Sequence, residues 1–161
     1  MSAKNTLTPE ILDILRREFG PALLTGEAEL QARAGDDSGL RHLPGAVLLA
    51  SSQAQVARLM VLANAHGFPV TPRGAGTGLA GGCLSPEAGL VLDLTAKNRI
   101  LSIDTQSLTA TVEPGVITGN LRDAAKAVGL FYPPDPASLA TSTIGGNAAT
   151  NAGGPACVKY G

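Results

Sequence analysis

From Arg73 the chain reads Arg-Gly-Ala-Gly-Thr-Gly-Leu-Ala-Gly-Gly, which puts five glycines in the nine positions 74–82. A run this dense is neither an ordinary helix nor an ordinary strand. Successive backbone N–H groups in such a loop can converge on an anion, and the missing Cβ atoms let phosphate oxygens come within hydrogen-bond distance. Arg73, Gly74, Ala75, Gly76, Thr77, Gly78 and Gly82 are therefore candidates to bind a diphosphate, with Arg73 the nearby cation in sequence. The competing reading is a loop that turns tightly for packing reasons alone.

Residues 76–81 satisfy the literal G-x-G-x-x-G pattern, but a dinucleotide fold needs a helix opening within that motif. Only seven residues separate Gly82 from the next strand signal at Leu90, too few for the helix of a βαβ unit, which takes roughly thirty residues in all. The spacing argues against a Rossmann-type NAD site.

A second cluster repeats the theme. Pro133, Pro134, Asp135 and Pro136 stiffen an approach to Ser138, and Thr143, Gly145, Gly146 and Asn147 open a glycine- and alanine-rich stretch running to Gly154. The hydroxyls of Ser138 and Thr143 can donate or accept, and Gly145 and Gly146 allow another close backbone approach. Packing turns remain the alternative here too. If both clusters serve one ligand, they should lie side by side.

The elements that must position these loops are read from periodicity and caps. Thr8 and Pro9 predict an amphipathic helix ending near Gly20. Turns at residues 36–39 and 44–45 precede a buried strand at 46–50. Ser52 predicts the cap of a helix with Val56, Leu59, Met60, Leu62 and Ala63 on one face, stopped by Gly67. A strand at 68–71 should complete a right-handed βαβ unit with two parallel strands side by side. A strand follows at 90–94, then a hairpin from 100–104 and 109–113. Thr118 should cap a helix that stops at Gly129, and the tail from Tyr132 carries no helix or strand of ordinary length. No internal repeat is present.

Composition bounds the partners. Twelve Lys and Arg face 13 Asp and Glu in 161 residues, with no long run of either sign, so nucleic acid and anionic membrane surfaces are poor partners. Twenty glycines and 11 prolines beside 3% aromatics and no Trp describe a chain of tight turns and small side chains. Cys83 and Cys157 suggest neither a zinc site nor a disulfide framework. No metal ligand set is proposed. A signal peptide and a membrane span are not evident, which predicts a cytoplasmic protein, with membrane association through partner subunits left open. His42 and His66 each read as structural. Glu113 reads as a solvated end-of-strand acid. No residue is assigned a catalytic role.

The two motifs together, residues 72–82 and 134–154, resemble the FAD-linked oxidase family, and within it the glycolate oxidase FAD subunit and D-lactate dehydrogenases. Asp36, Ser38, Arg41, Pro44 and Val47 also match that family, as do residues 157–161. The resemblance implies an α+β, PCMH-type FAD-binding domain, here its first subdomain and incomplete at the C-terminus. It implies an N-terminal helical segment at residues 1–35 and the FAD-binding portion at 36–161.

FAD contacts are implied for the first loop through residues 74–78 and near Gly82 and Cys83. For the second they are implied at Pro134, Asp135, Ser138, Gly145, Gly146 and Asn147. Where some branches attach FAD covalently through a histidine, this chain has Thr77, so the flavin should be held non-covalently. In the complete protein the family implies oxidation of a small 2-hydroxy acid by hydride transfer to FAD, then electron delivery to an accepting partner. The family's substrate-binding histidine, arginine and metal ligands lie beyond residue 161, so the chain is expected to be a piece of a longer protein, exposing a sheet edge or apolar patch. Two other readings stay open: a non-catalytic nucleotide-binding remnant, and the FAD subdomain of a UDP-N-acetylenolpyruvylglucosamine reductase-type enzyme.

Overall fold

The computed structural model describes residues 7–160, which fall into two compact units, Met1–Ala96 and Lys97–Gly161. The boundary lies inside the stretch that the sequence reads as one FAD-binding portion.

The first unit begins with α1 (Pro9–Phe19), where the Thr8 hydroxyl accepts the Ile11 N–H and proline occupies the first turn. Its buried side chains Ile11, Leu15 and Phe19 lie on one stripe. A 3-10 turn leads into the two-residue strand β1 (Leu23–Leu24), then α2 (Glu27–Ala32), β2 (Ala46–Leu49), α3 (Gln53–His66), β3 (Val70–Arg73) and β4 (Leu90–Asp93). The segment read as helical therefore also supplies a strand.

These strands form one sheet in the order β1-β2-β4-β3, with β1 antiparallel to β2 and the other neighbours parallel. The apolar runs of β2 and β4 suit strands covered on both faces. Ala46, Leu48, Leu90 and Leu92 join Leu15, Leu59, Leu62 and Phe68 in the core, while Val47 and Val91, pointing the other way, are also fully buried. Burying a leucine such as Leu59 contributes about 1.5–3 kcal/mol.

Three expectations change. The strands β2 and β3 flank α3 as a βαβ unit requires, but they are not side by side, because β4 inserts between them. The third strand lies two residues later than the pattern suggested. It carries the exposed Pro72 without penalty because β3 is the outermost strand in the order. Met60 does not share the buried face of α3; it is 50% exposed, and Leu59, Leu62 and Ala63 carry the packing.

The second unit holds the hairpin β5 (Ile100–Asp104) and β6 (Thr109–Val112), α4 (Thr118–Ala127), α5 (Ile144–Thr150) and α6 (Cys157–Tyr160). Thr118 does not cap α4. The cap position is Ile117, and Thr118 is wholly buried in the first turn with its hydroxyl used elsewhere. The tail is more structured than its glycines suggested, since Thr143 caps a seven-residue helix. Glu113 is not a solvated acid: it is 7% exposed and held by Lys97 and Arg99.

Candidate functional site

In an open parallel sheet, ligands sit outside the carboxyl ends of the strands. That edge of the first unit is where β3 delivers Arg73 and the chain enters the glycine loop, so Arg73, Gly74, Ala75, Gly76, Thr77, Gly78, Gly82 and Cys83 are gathered there. The Arg73 carbonyl accepts the Leu94 N–H at 3.0 Å, which fixes the point where the loop departs.

The loop leaves its donors unspent. Among the described residues, no backbone N–H of residues 74–80 finds an acceptor within the protein. Beneath it lies the Arg73 side chain, only 8% exposed, whose hydrogen bond runs from Nη1 to Cys83 Sγ at 3.1 Å. Arg73 makes no ion pair among the described residues. A buried guanidinium facing no carboxylate is costly unless an anion arrives to meet it.

Two glycines divide the work of the loop. Gly76 has φ +78°, and a Cβ there would run into the Arg73 guanidinium, so this glycine lets the backbone fold over the arginine. A Cβ at Gly78 would meet nothing within 4 Å, and the same holds at Gly82. These positions face open space, where a ligand oxygen can approach the chain.

Asp36 reaches the far limb of the loop. Its Oδ1 accepts the Ser38 N–H at 3.0 Å and the Ser38 hydroxyl, while Oδ2 lies 3.8 Å from Cys83 Sγ. Burial opposes its ionisation, but the bonds from Ser38, Gly81 and Cys83 together hold the carboxyl below its ordinary value. Burial pushes the Cys83 thiol up, with Arg73 pulling the other way, so the sulfur keeps its proton and is no nucleophile at neutral pH. The Asp-x-Ser spacing at 36–38 signals the local turn that Ser38 closes, but nothing in it points to Cys83, 47 positions away.

In the second unit Thr143, Gly145, Gly146 and Asn147 lie at the start of α5, Ser138 precedes them in the turn that receives the Thr141 and Ser142 N–H groups, and Asp135, after Pro134, meets Gly153 beyond the helix's other end. Here the donors are spent. Ile144 N–H donates to Val116 O at 2.8 Å, Gly145 N–H to Pro114 O at 2.8 Å, Gly146 N–H to Thr143 Oγ1 at 3.3 Å and Asn147 N–H to Thr143 O at 2.9 Å. Gly145 is small for packing: a Cβ would sit 2.6 Å from Pro114 Cβ.

The Asn147 amide, 9% exposed, donates from Nδ2 to Thr118 Oγ1 at 2.7 Å, and Thr118 also meets Ser142. Asp135 is held by Arg122 at 2.7 Å, and its N–H reaches Gly153 O. The half-buried Ser138 hydroxyl has no partner among the described residues and stays available to a ligand. Thr118 and Arg122 support this segment, a role no local pattern signals because Asn147 and Asp135 lie 29 and 13 positions away.

Glu113 lies in the same unit, directly after β6. Arg99 Nη2 and Lys97 Nζ each lie 3.0 Å from Oε1, and the Arg99 backbone N–H donates to Oε2 at 3.0 Å. The Arg99 side chain and backbone, followed by Lys97, bring its carboxyl down to about 2. This is a structural acid: it fixes the chain just before Pro114, the residue that receives the Gly145 N–H.

A glycine loop whose N–H groups have no acceptor among the described residues, open space at two glycines and a buried arginine with no counter-ion among them match the diphosphate of a dinucleotide in charge and in donor set. The comparisons agree. The profile of the family described as "FAD binding domain" matches residues 44–161. The chain is 47% identical over 121 residues to the glycolate oxidase subunit GlcD of Bacillus subtilis, covering 75% of this chain and 26% of that protein. It is 36% identical over 159 residues to the D-lactate dehydrogenase of Anaerostipes hadrus, covering 98% and 33%. Among solved structures, an alkyldihydroxyacetonephosphate synthase superposes with a TM-score of 0.84 at 24% identity, covering 99% of this chain and 35% of that one, which shows the fold alone. The chain thus spans about a quarter to a third of the curated relatives it matches. The α+β PCMH-type fold and the match over residues 44–161 place the chain in the FAD binding domain family, with FAD as its cofactor.

Proposed function

We propose that residues 73–83 hold the diphosphate of a non-covalently bound FAD, with Pro134, Asp135, Ser138, Thr143, Gly145, Gly146 and Asn147 forming the second segment devoted to the cofactor. The observation that carries this reading is Arg73, buried and, among the described residues, without an ion pair, under a loop whose N–H groups at 74–80 find no acceptor there. Backbone donors of residues 74–78 orient the anion, Arg73 supplies the compensating charge from below, and Gly78 and Gly82 leave room for close approach. Thr77, with no nucleophilic ring nitrogen, offers no histidyl attachment point. In the second segment most polar groups brace the backbone, and the Ser138 hydroxyl is the donor left to the cofactor.

Bound FAD supplies the acceptor for a hydride. The proposed whole protein is a dehydrogenase or oxidase of a small 2-hydroxy acid of the glycolate or D-lactate type, working in the cytoplasm with a separate electron acceptor. Similarity to the Bacillus glycolate oxidase subunit and the Anaerostipes D-lactate dehydrogenase supports that substrate class. The reading gives these 161 residues cofactor binding, and gives the substrate's proton and carboxylate to groups elsewhere in a longer polypeptide.

The test is to purify the chain, titrate it with FAD and assay glycolate, D-lactate and D-2-hydroxyglutarate with an artificial acceptor. Weak, saturable FAD binding without turnover is the expected result. Sustained turnover with any of the three acids would overturn the division of labour, and failure to bind FAD at all would overturn the cofactor assignment.

A further inference from the structure

The glycine loop begins at Arg73 and ends at Cys83, and these two side chains meet. Resting on the cofactor reading above, we propose that Cys83 is a positioning residue that joins the two limbs of the loop, accepting an N–H from Arg73 and donating its own proton to Asp36. It aims the arginine; it need not touch the flavin nucleotide.

The geometry is a chain of three groups. Arg73 Nη1 lies 3.1 Å from Cys83 Sγ, and Sγ lies 3.8 Å from Asp36 Oδ2. Asp36 is itself held, because Ser38 donates both its backbone N–H at 3.0 Å and its hydroxyl to Oδ1. A thiol is a weak donor and a weak acceptor, so it can serve both neighbours at once. Arginine has a long, rotamer-rich side chain, and without a fixed partner it would have to be ordered when the anion binds. The Cys83 contact orders it beforehand, under Gly76, where the backbone bends over the guanidinium. The Asp36 carboxylate contacts the sulfur and makes no ion pair with Arg73, which leaves the arginine's charge free for the ligand.

The experiment compares C83S, C83A and D36N with the wild-type full chain. Serine keeps a donor and an acceptor; alanine keeps neither. Flavin fluorescence during FAD titration is expected to show about a fivefold weaker Kd for C83A, the loss of roughly one hydrogen bond. C83S should lie within about twofold of wild type on the same basis. D36N should also bind more weakly, although it removes a negative charge near an anion site. Tighter binding by D36N would mean that Asp36 acts only through its charge and would overturn the proposal, as would a C83A variant that binds like wild type.

A second readout needs no flavin. Proton exchange at the Arg73 side chain, followed by NMR in the free protein, should be slow in wild type and C83S and fast in C83A. Equal rates in all three would refute the contact. If wild type binds no FAD while this pattern holds, the cofactor reading fails and the loop closure stands.

Discussion

Gly76 and Gly78 look interchangeable in a glycine-rich string, and their surroundings separate them. Sequence alone expects valine at either to abolish flavin binding more than it harms folding. With φ +78° and the Arg73 guanidinium where its Cβ would go, Gly76→Val should damage the loop itself and lower the melting temperature. Gly78→Val should melt like wild type yet bind FAD at least about tenfold more weakly, because its side chain would fill the approach space. Calorimetry and an FAD titration on the pair check this, and equal melting losses would refute the distinction. Arg73→Met keeps the buried stem and removes an uncompensated charge. Its thermal stability should match or exceed wild type, while FAD affinity should fall about 10- to 100-fold, as loss of charge-assisted bonds implies. A marked drop in apo stability would show instead that Arg73 is structural.

At the scale of elements, caps were legible and long-range partners were not. Thr8 with Gly20, and Ser52 with Gly67, bracket α1 and α3 because capping chemistry is local. Thr118 misled because a hydroxyl before a helix signals a cap whether it faces the turn or, as here, the buried Ser142 and Asn147. The helix α5 was hidden by Gly145 and Gly146 in its first turn, which lower helix propensity while Thr143 still caps it. Thr118→Val should leave the Asn147 amide buried without its acceptor and cost about 1–3 kcal/mol in denaturant unfolding. A loss within error of zero would contradict its role as the acceptor that satisfies the Asn147 amide. Glu113 gives the pH dependence. Its carboxyl sits at about 2 in the fold against an ordinary 4.5, so its contribution is complete above about 4.5 and is lost as pH falls toward 2. Glu113→Gln should therefore be less stable than wild type at neutral pH, and the two should converge near pH 2. A gap that persists unchanged to pH 2 would locate the effect in packing rather than charge.

For the whole molecule, the glycine motifs were visible in the sequence because they are contiguous. The order of the sheet was not, because the insertion of β4 between β2 and β3 is decided by which strands bury their apolar runs together, not by the order in which the chain makes them. The same limit hid Asp36, which meets Cys83 across 47 positions. The glycine loop and the second segment also differ in a way composition could not reveal: among the described residues, the N–H groups of 74–80 have no protein acceptor, whereas those of 144–147 are spent on the fold itself. The measurement that tests this account most directly is an NMR titration of the full chain with FAD, following each backbone amide. Saturable shifts centred on the amides of residues 74–80, and abolished by Gly78→Val, are expected. Saturable binding that leaves those amides unmoved would contradict the assignment of the loop to the FAD diphosphate.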